Sequence, residues 1–281
     1  MIEHIKLDNN YEYIEIKNNQ AEAKIALQGA HIFHYKAKNK PALLWLSETS
    51  FFKEAKAIRG GIPICFPWFG PHKTDSSLPQ HGFARTALWK VVLEEEIDEN
   101  STHIQLQLIS TKESLELWEH KFDIRLDIMV SSELYVKFIV TNTDTKPFEF
   151  TSALHSYFNV SDITNVSVEG LEGSSYIDSL SNKIAIQKGN LSITEEVDRV
   201  YFNVSKIIKL HDASETIVLK QQGSNSLVVW NPWIEKAKKM IDMPDDGYKS
   251  MLCLETGNIG EDKKILQPNK SHILEVLISG Y

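Results

Sequence analysis

Apolar and polar residues alternate along most of the chain. Residues 11–16 (YEYIEI), 104–108 (IQLQL), 122–128 (FDIRLDI), 134–140 (LYVKFIV), 215–219 (ETIVL) and 272–277 (HILEVL) share this two-residue period. Successive side chains of an extended strand point to opposite faces, so the period predicts strands buried on one side and wet on the other. Residues 8–10 (DNN), 18–19 (NN), 142–144 (NTD) and 222–225 (QGSN) punctuate the series with residues that favour turns. Many short strands joined by such turns predict stacked antiparallel sheets.

Helical periodicity is scarce. Residues 235–241 (EKAKKMI) have the composition for two turns, and residues 114–119 fit a strand or a helix equally well. No Gly/Ser/Pro-rich linker and no internal repeat divides the sequence. Residues 1–281 are therefore read as one all-β domain, a large two-sheet antiparallel β-sandwich with little helix. Two segments break the alternation: residues 58–72 (IRGGIPICFPWFGPH) and 79–85 (PQHGFAR). Pro63, Pro67 and Pro71 oppose a regular central strand, and the nearby glycines permit unusual backbone angles. Long loops of this kind are where a sandwich is expected to carry its chemistry.

Composition narrows the function classes. A net charge of −8 disfavours nucleic acid and anionic membranes as partners. No apolar run approaches the roughly 20 residues of a membrane-spanning helix. Residues 1–10 carry Glu3, Lys6 and Asp8 rather than the apolar core of a secretory leader. Two cysteines, Cys65 and Cys253, without metal-like spacing, fit a reducing, cytoplasmic setting with no disulfide. No sustained heptad or long apolar helix face is visible, so the chain is expected to be a monomer. Arginine occurs only at 59, 85, 125 and 199; every other one of the 30 basic residues is lysine. Such a bias makes each guanidinium informative, because its planar fork grips carboxylates and phosphates where lysine is a point charge.

Arg59 and Arg85 flank a loop block containing Phe66, Trp68, Phe69, Gln80, His81 and Phe83. Two guanidiniums beside aromatics suit a small anion with an apolar face, such as a sugar phosphate. They suit equally well two ion pairs beside a plug of aromatic side chains. Arg125, in a strand-like segment, reads as structural. His155 ends an apolar stretch, as a hydrogen-bonded core histidine or as a general acid with a pKa near neutrality. Glu255 follows a four-residue apolar run, where an unpaired buried carboxylate costs several kcal/mol, about 3–5, and so needs a partner or a task. Asp198 reads as a turn carboxylate or as a ligand. These positions lie far apart in sequence, and spacing alone does not assemble them.

Residues 59–70 (RGGIPICFPWFG), 80–85 (QHGFAR), 153–158 (ALHSYF), 197–201 (VDRVY), 230–233 (WNPW), 243–248 (MPDDGY) and 254–258 (LETGN) resemble, in order and over nearly the whole chain, the blocks of the glucose-6-phosphate 1-epimerase family. These hexose-6-phosphate mutarotases fall within the galactose mutarotase-like superfamily. The resemblance implies the supersandwich fold, with His155 as general acid and Glu255 as general base. It implies Arg59, Gln80, Arg85 and Asp198 as substrate-binding positions. His81 matches a second sugar-contacting histidine of the wider superfamily. Gly257 departs from the pattern, where a small residue such as alanine is expected. No cofactor and no metal are implied.

The chemistry that follows is ring opening and closure. Glu255 takes the proton of the anomeric hydroxyl while an imidazolium at His155 protonates the ring oxygen. The aldehyde then turns about C1–C2 and closes on its other face, with the acid and base expected on opposite sides of the pyranose. Asp198 would hold ring hydroxyls, and Arg59 with Arg85 the phosphate. Four rivals remain: an aldose 1-epimerase of unphosphorylated sugars, a non-catalytic carbohydrate-binding sandwich with Trp68, Trp230 and Trp233 as platform, a glycosidase using Asp198 and Glu255, and a metal site built from His72, His81, His155 and Glu255. The last lacks His-x-His or His-x₃-His spacing.

Overall fold

The period-2 segments all form strands in a computed structural model, which describes residues 1–213 and 215–280. Phe122–Val130 and Leu134–Asn142 alternate strictly between buried and half-buried positions, as their sequences require. They sit inside a nine-stranded antiparallel sheet that also contains Thr216–Gln222 and Ser271–Gly280. Phe122, Ile124, Leu126, Phe138, Val140, Leu274 and Val276 point from it into the main core. An eight-stranded antiparallel sheet packs on that face. Its central strands are Val197–Phe202, Ser226–Asn231 and Met251–Asn258, flanked by the short Ser152–Leu154 and the two-residue edge Ile64–Cys65. A four-stranded meander over residues 2–37 and a two-stranded ribbon, Phe148–Phe150 with Lys264–Leu266, complete the β structure. The two-sheet sandwich expected from the sequence is thus present with two smaller sheets beside it.

Helix is confined to short pieces. Residues 114–119 resolve as the helix Lys112–Leu117, started by a reciprocal hydrogen-bonded cap between Thr111 and Ser114. The segment expected to be helical over 235–241 forms Trp233–Ala237, two residues earlier and hardly more than one turn. Among the described residues no helix is long and apolar enough to cross a membrane.

Register in the eight-stranded sheet decides what faces where. Asp198 pairs with Trp230 and Trp230 with Cys253; two residues along, Val228 pairs with Glu255. Residues two apart share a face. Val197, Leu227, Val229, Leu252 and Leu254 therefore enter the main core, while Asp198, Val200, Val228, Trp230, Cys253 and Glu255 project from the other side. That outer face is covered rather than wet: Met251–Asn258 and Ser226–Asn231 are buried at every position. A second apolar cluster, including Trp45, Tyr157, Ala237 and Met243, roofs part of it.

Candidate active site

The Gly/Pro/aromatic block is anchored before it reaches the cleft. Phe66 is fully buried and meets Phe122, Phe138 and Trp118 edge-on at 5.5–5.9 Å between ring centres. Phe83 is likewise buried against Phe122. Trp68 donates its indole N–H to Pro79 O and packs on His72 and Phe83. Of the four aromatics that the sequence offered as sugar contacts, only Phe69 lines the cleft; the other three close the end of the sandwich.

Beyond that anchor the chain turns back so that Phe66 O receives the N–H groups of Phe83 and Ala84. Gly82 sits at φ +72, and a Cβ there would lie 2.0 Å from Phe66 O, so no other residue fits the turn. His81, just before it, also has a positive φ of 65. Its backbone N–H donates to Gly70 O, while Gly70 N–H donates to His81 Nδ1 at 3.1 Å. Burial, with Arg85 and Arg59 adding to it, pushes the His81 pKa down to about 3, so the ring is neutral. Since Nδ1 accepts, the single ring proton is on Nε2, which makes His81 a hydrogen-bond donor of fixed tautomer.

All seven positions singled out in the sequence, Arg59, Gln80, His81, Arg85, His155, Asp198 and Glu255, line one cleft of about 490 Å³. At its floor His155 Nε2 lies 3.3 Å from Glu255 Oε1, with the two side chains 9 % and 1 % exposed. The His155 ring is stacked flat on Tyr157, 4.8 Å between centres and 8° between planes, with Trp45 stacked on Tyr157 in turn. Glu255 Oε2 and His155 Nδ1 make no hydrogen bond among the described residues. The two residues that the sequence pattern implies as acid and base are therefore side by side, not on opposite faces of a ring as the sequence reading has it. This arrangement suits O1 and O5 of a pyranose, which are bonded to the same carbon.

Protonation is also biased differently from the imidazolium expected at His155. Burial, then His81, Arg85 and Arg59, hold the His155 pKa well below its ordinary value. Burial and the charge of Asp198 hold Glu255 well above the carboxylate range, against a smaller opposite pull from Arg85. In the free cleft the pair accordingly favours a protonated Glu255 beside a neutral imidazole.

The arginines divide. Arg59 donates to Tyr157 Oη at 2.9 Å and pairs with Asp242 at 3.1 Å, so the carboxylate-pairing alternative holds for it even though it lines the cleft. Arg85 donates to the carbonyl of Gln80 at 2.7 Å and makes no ion pair among the described residues. Arg125 pairs with Asp123, and Arg199 with Asp178 and the face of Tyr176; both are structural. Asp198 is on a strand, not in a turn, its Oδ2 3.8 Å from Lys236 Nζ.

Sequence reasoning missed Lys236, which lines the cleft, binds Glu196 at 3.1 Å and lies over the Trp230 ring. It also missed Tyr157 and Asp242 as supports for His155 and Arg59. The block at 153–158 contains Tyr157 and the block at 243–248 adjoins Asp242, but nothing in their spacing marks a support. Trp230 lines the cleft, whereas Trp233 packs on Tyr248 and Trp68 lies apart, so no three-tryptophan platform exists. His72 packs on Trp68 and is not among the cleft-lining residues, so the four-residue metal set is not assembled either. A different group is: His155, Glu255 and Cys253 each bring a ligating atom within 4.8 Å of the others. At Gly257 a Cβ would meet Ser152 O at 2.7 Å, which explains why glycine stands where the sequence pattern led us to expect alanine.

The β-sandwich, with a buried carboxyl–imidazole pair at the floor of its polar cleft, is that of the mutarotase class of isomerases. The sequence model of the aldose 1-epimerase family matches residues 12–279, and the chain belongs to that family of isomerases. It is 35 % identical over 274 residues to an Escherichia coli K12 protein and 41 % identical over 245 residues to one from Cenchrus ciliaris. Those alignments cover 96 % and 83 % of this chain and 90 % and 74 % of the relatives, each named "putative glucose-6-phosphate 1-epimerase". A crystal structure of a "putative mutarotase (YeaD)" from Salmonella typhimurium superposes with a TM-score of 0.93 at 35 % identity. It covers 99 % of this chain and 93 % of that one.

Proposed function

We propose that the chain interconverts the α and β anomers of a hexose-6-phosphate, glucose-6-phosphate first among them. The observation that carries this is the His155–Glu255 pair at 3.3 Å, in a cleft that Arg85 lines without a carboxylate partner among the described residues. Glu255 as carboxylate takes the proton from O1 while His155 as imidazolium gives one to O5, and the C1–O5 bond breaks. The reverse transfers close the ring on the other face of the aldehyde. Opening adds one proton to Glu255 and removes one from His155, and closure reverses both, so the pair's total is unchanged throughout and no cofactor is consumed. Such catalysis is worth about 10²–10⁴-fold, with positioning by His81, Asp198 and Gln80 supplying the rest.

A bound phosphate also bears on the proton balance. Arg85 and Arg59 are among the groups that depress His155. A dianion placed against them offsets their charge and favours the imidazolium needed for ring opening. Unphosphorylated aldoses bring no such charge. The two buried, unpaired thiols support a reducing, cytoplasmic setting, and we infer a single domain acting as a monomer.

Anomer exchange measured by NMR on glucose-6-phosphate and on glucose tests the reading. A much larger kcat/KM for the phosphorylated sugar is expected. Equal values would make the protein a general aldose epimerase, and binding without exchange would make it a carbohydrate-binding sandwich.

A further inference from the structure

Cys253 has no part in the anomer exchange just described, yet it is buried beside the His155–Glu255 pair. It precedes Glu255 by two residues on Met251–Asn258, hence shares its face, and it is a fully buried free thiol. One ligating atom from each of His155, Cys253 and Glu255 lies within 4.8 Å of the other two. A tetrahedral zinc site holds its sulfur, nitrogen and oxygen ligands about 2.0–2.3 Å from the metal. Ligand atoms are then about 3.3–3.8 Å apart, so side-chain rotation of about an ångström closes the set. The thiol does not stand alone: His155 Nε2 lies 3.3 Å from Glu255 Oε1, and the deeply buried Glu255 Oε2 has no hydrogen-bond partner among the described residues.

We propose that His155, Cys253 and Glu255 form a binding site for a thiophilic divalent cation such as Zn²⁺, and that the metal excludes the sugar by occupying the acid–base pair. On binding, the S–H bond of Cys253 and the O–H bond of Glu255 give up their protons to solvent. Metal–sulfur, metal–oxygen and metal–nitrogen bonds replace them. Thiolate, carboxylate and neutral imidazole bring two negative charges to the dication, so the buried unit is neutral overall. A fourth ligand, such as water, would complete the tetrahedral set. Arg59 and Arg85 line the same cleft and oppose a cation, while Asp198 favours one. Selectivity therefore comes from the bond to sulfur, and hard ions such as Mg²⁺ gain little. Binding stands on this geometry alone; inhibition rests on the acid–base role proposed above.

The test titrates Co²⁺ and Zn²⁺ into the purified full chain without sugar, read by calorimetry and by thiolate-to-cobalt charge-transfer absorbance. One equivalent should bind with proton release and a charge-transfer band, and Zn²⁺ but not Mg²⁺ should inhibit exchange competitively with the sugar phosphate. Cys253→Ala should keep metal-free exchange, lose the band and weaken Zn²⁺ on the order of a hundredfold, since losing even an outer partner of a metal ligand costs about 10–100-fold. Cys253→Val, which fills the space without a ligand, should match it, and Cys65→Ala should retain the band. No band in the wild type, a band that survives in Cys253→Ala, or equal inhibition by Mg²⁺ overturns the proposal. A band that depends on Cys253 in a protein showing no anomer exchange upholds the metal site and overturns the proposed function instead.

Discussion

His155 Nε2 lies 3.3 Å from Glu255 Oε1, with both side chains shut away from bulk water. A protonated Glu255 beside a neutral His155, and a carboxylate beside an imidazolium, hold the same number of protons and differ by one transfer between them. Burial favours the first form, since it separates no charge in a low-dielectric site. Anomer exchange moves protons at two oxygens on one carbon. A pair that passes between these two forms delivers one proton and collects another without changing its total.

Glu255→Gln keeps the shape and buries no charge, so the fold should survive. Exchange of glucose-6-phosphate should fall by about 10²–10⁴-fold, the usual worth of an acid–base group, with ligand affinity little changed. NMR exchange rates and calorimetric binding on the same sample check both halves. An unchanged rate would remove Glu255 from the chemistry.

Arg85→Gln and Arg59→Ala should behave differently. A lost charge-assisted hydrogen bond to phosphate is about 1.5–3 kcal/mol, so Arg85→Gln should raise KM for the phosphorylated sugar about 10–100-fold and spare glucose. Arg59→Ala strips partners from Asp242 and Tyr157 and should also lower the unfolding free energy by about 1–3 kcal/mol. Urea titrations beside the kinetics separate the two effects. Arg85 lowers both His155 and Glu255, so its removal should move both limbs of the pH–rate profile to higher pH.

His81 is buried neutral, its pKa pushed down to about 3 from an ordinary 6.5. Below pH about 6.5 the unfolded chain binds a proton at this ring that the folded chain refuses, so unfolding gains. The stability contribution is whole above that pH and is lost progressively as pH falls toward 3. Thermal melts should show a steeper decline over this window in the wild type than in His81→Asn. Parallel curves would mean that the ring is protonated in the folded protein.

Gly257→Ala should be destabilising by about 1–3 kcal/mol, the usual penalty of overpacking, because its Cβ would press on Ser152 O at 2.7 Å and on Ala153 Cβ at 3.0 Å. Equilibrium denaturation measures it directly. A neutral result would show that Ser152–Leu154 can shift away from Met251–Asn258.

The sequence by itself determined the strands. Phe122–Val130 and Leu134–Asn142 have one possible register with water because a one-residue slip would expose every apolar side chain. It also marked Glu255 as anomalous, since a carboxylate after four apolar residues has no local partner, and the ordered blocks around Arg59, Gln80 and His155 identified the family. Local pattern could not assign the aromatics or the arginines, because a buried plug and a ligand wall use the same residue types. Only the tertiary structure turned Phe66 and Phe83 into the sandwich, tied Arg59 to Asp242 and left Arg85 without an ion pair among the described residues. It alone set His155 beside Glu255 and brought Cys253 to both, through strand register between segments a hundred residues apart. Periodicity reports which face a residue shares with its own neighbours along the chain. Which residue of another strand it meets is decided by how the sheets pair and pack.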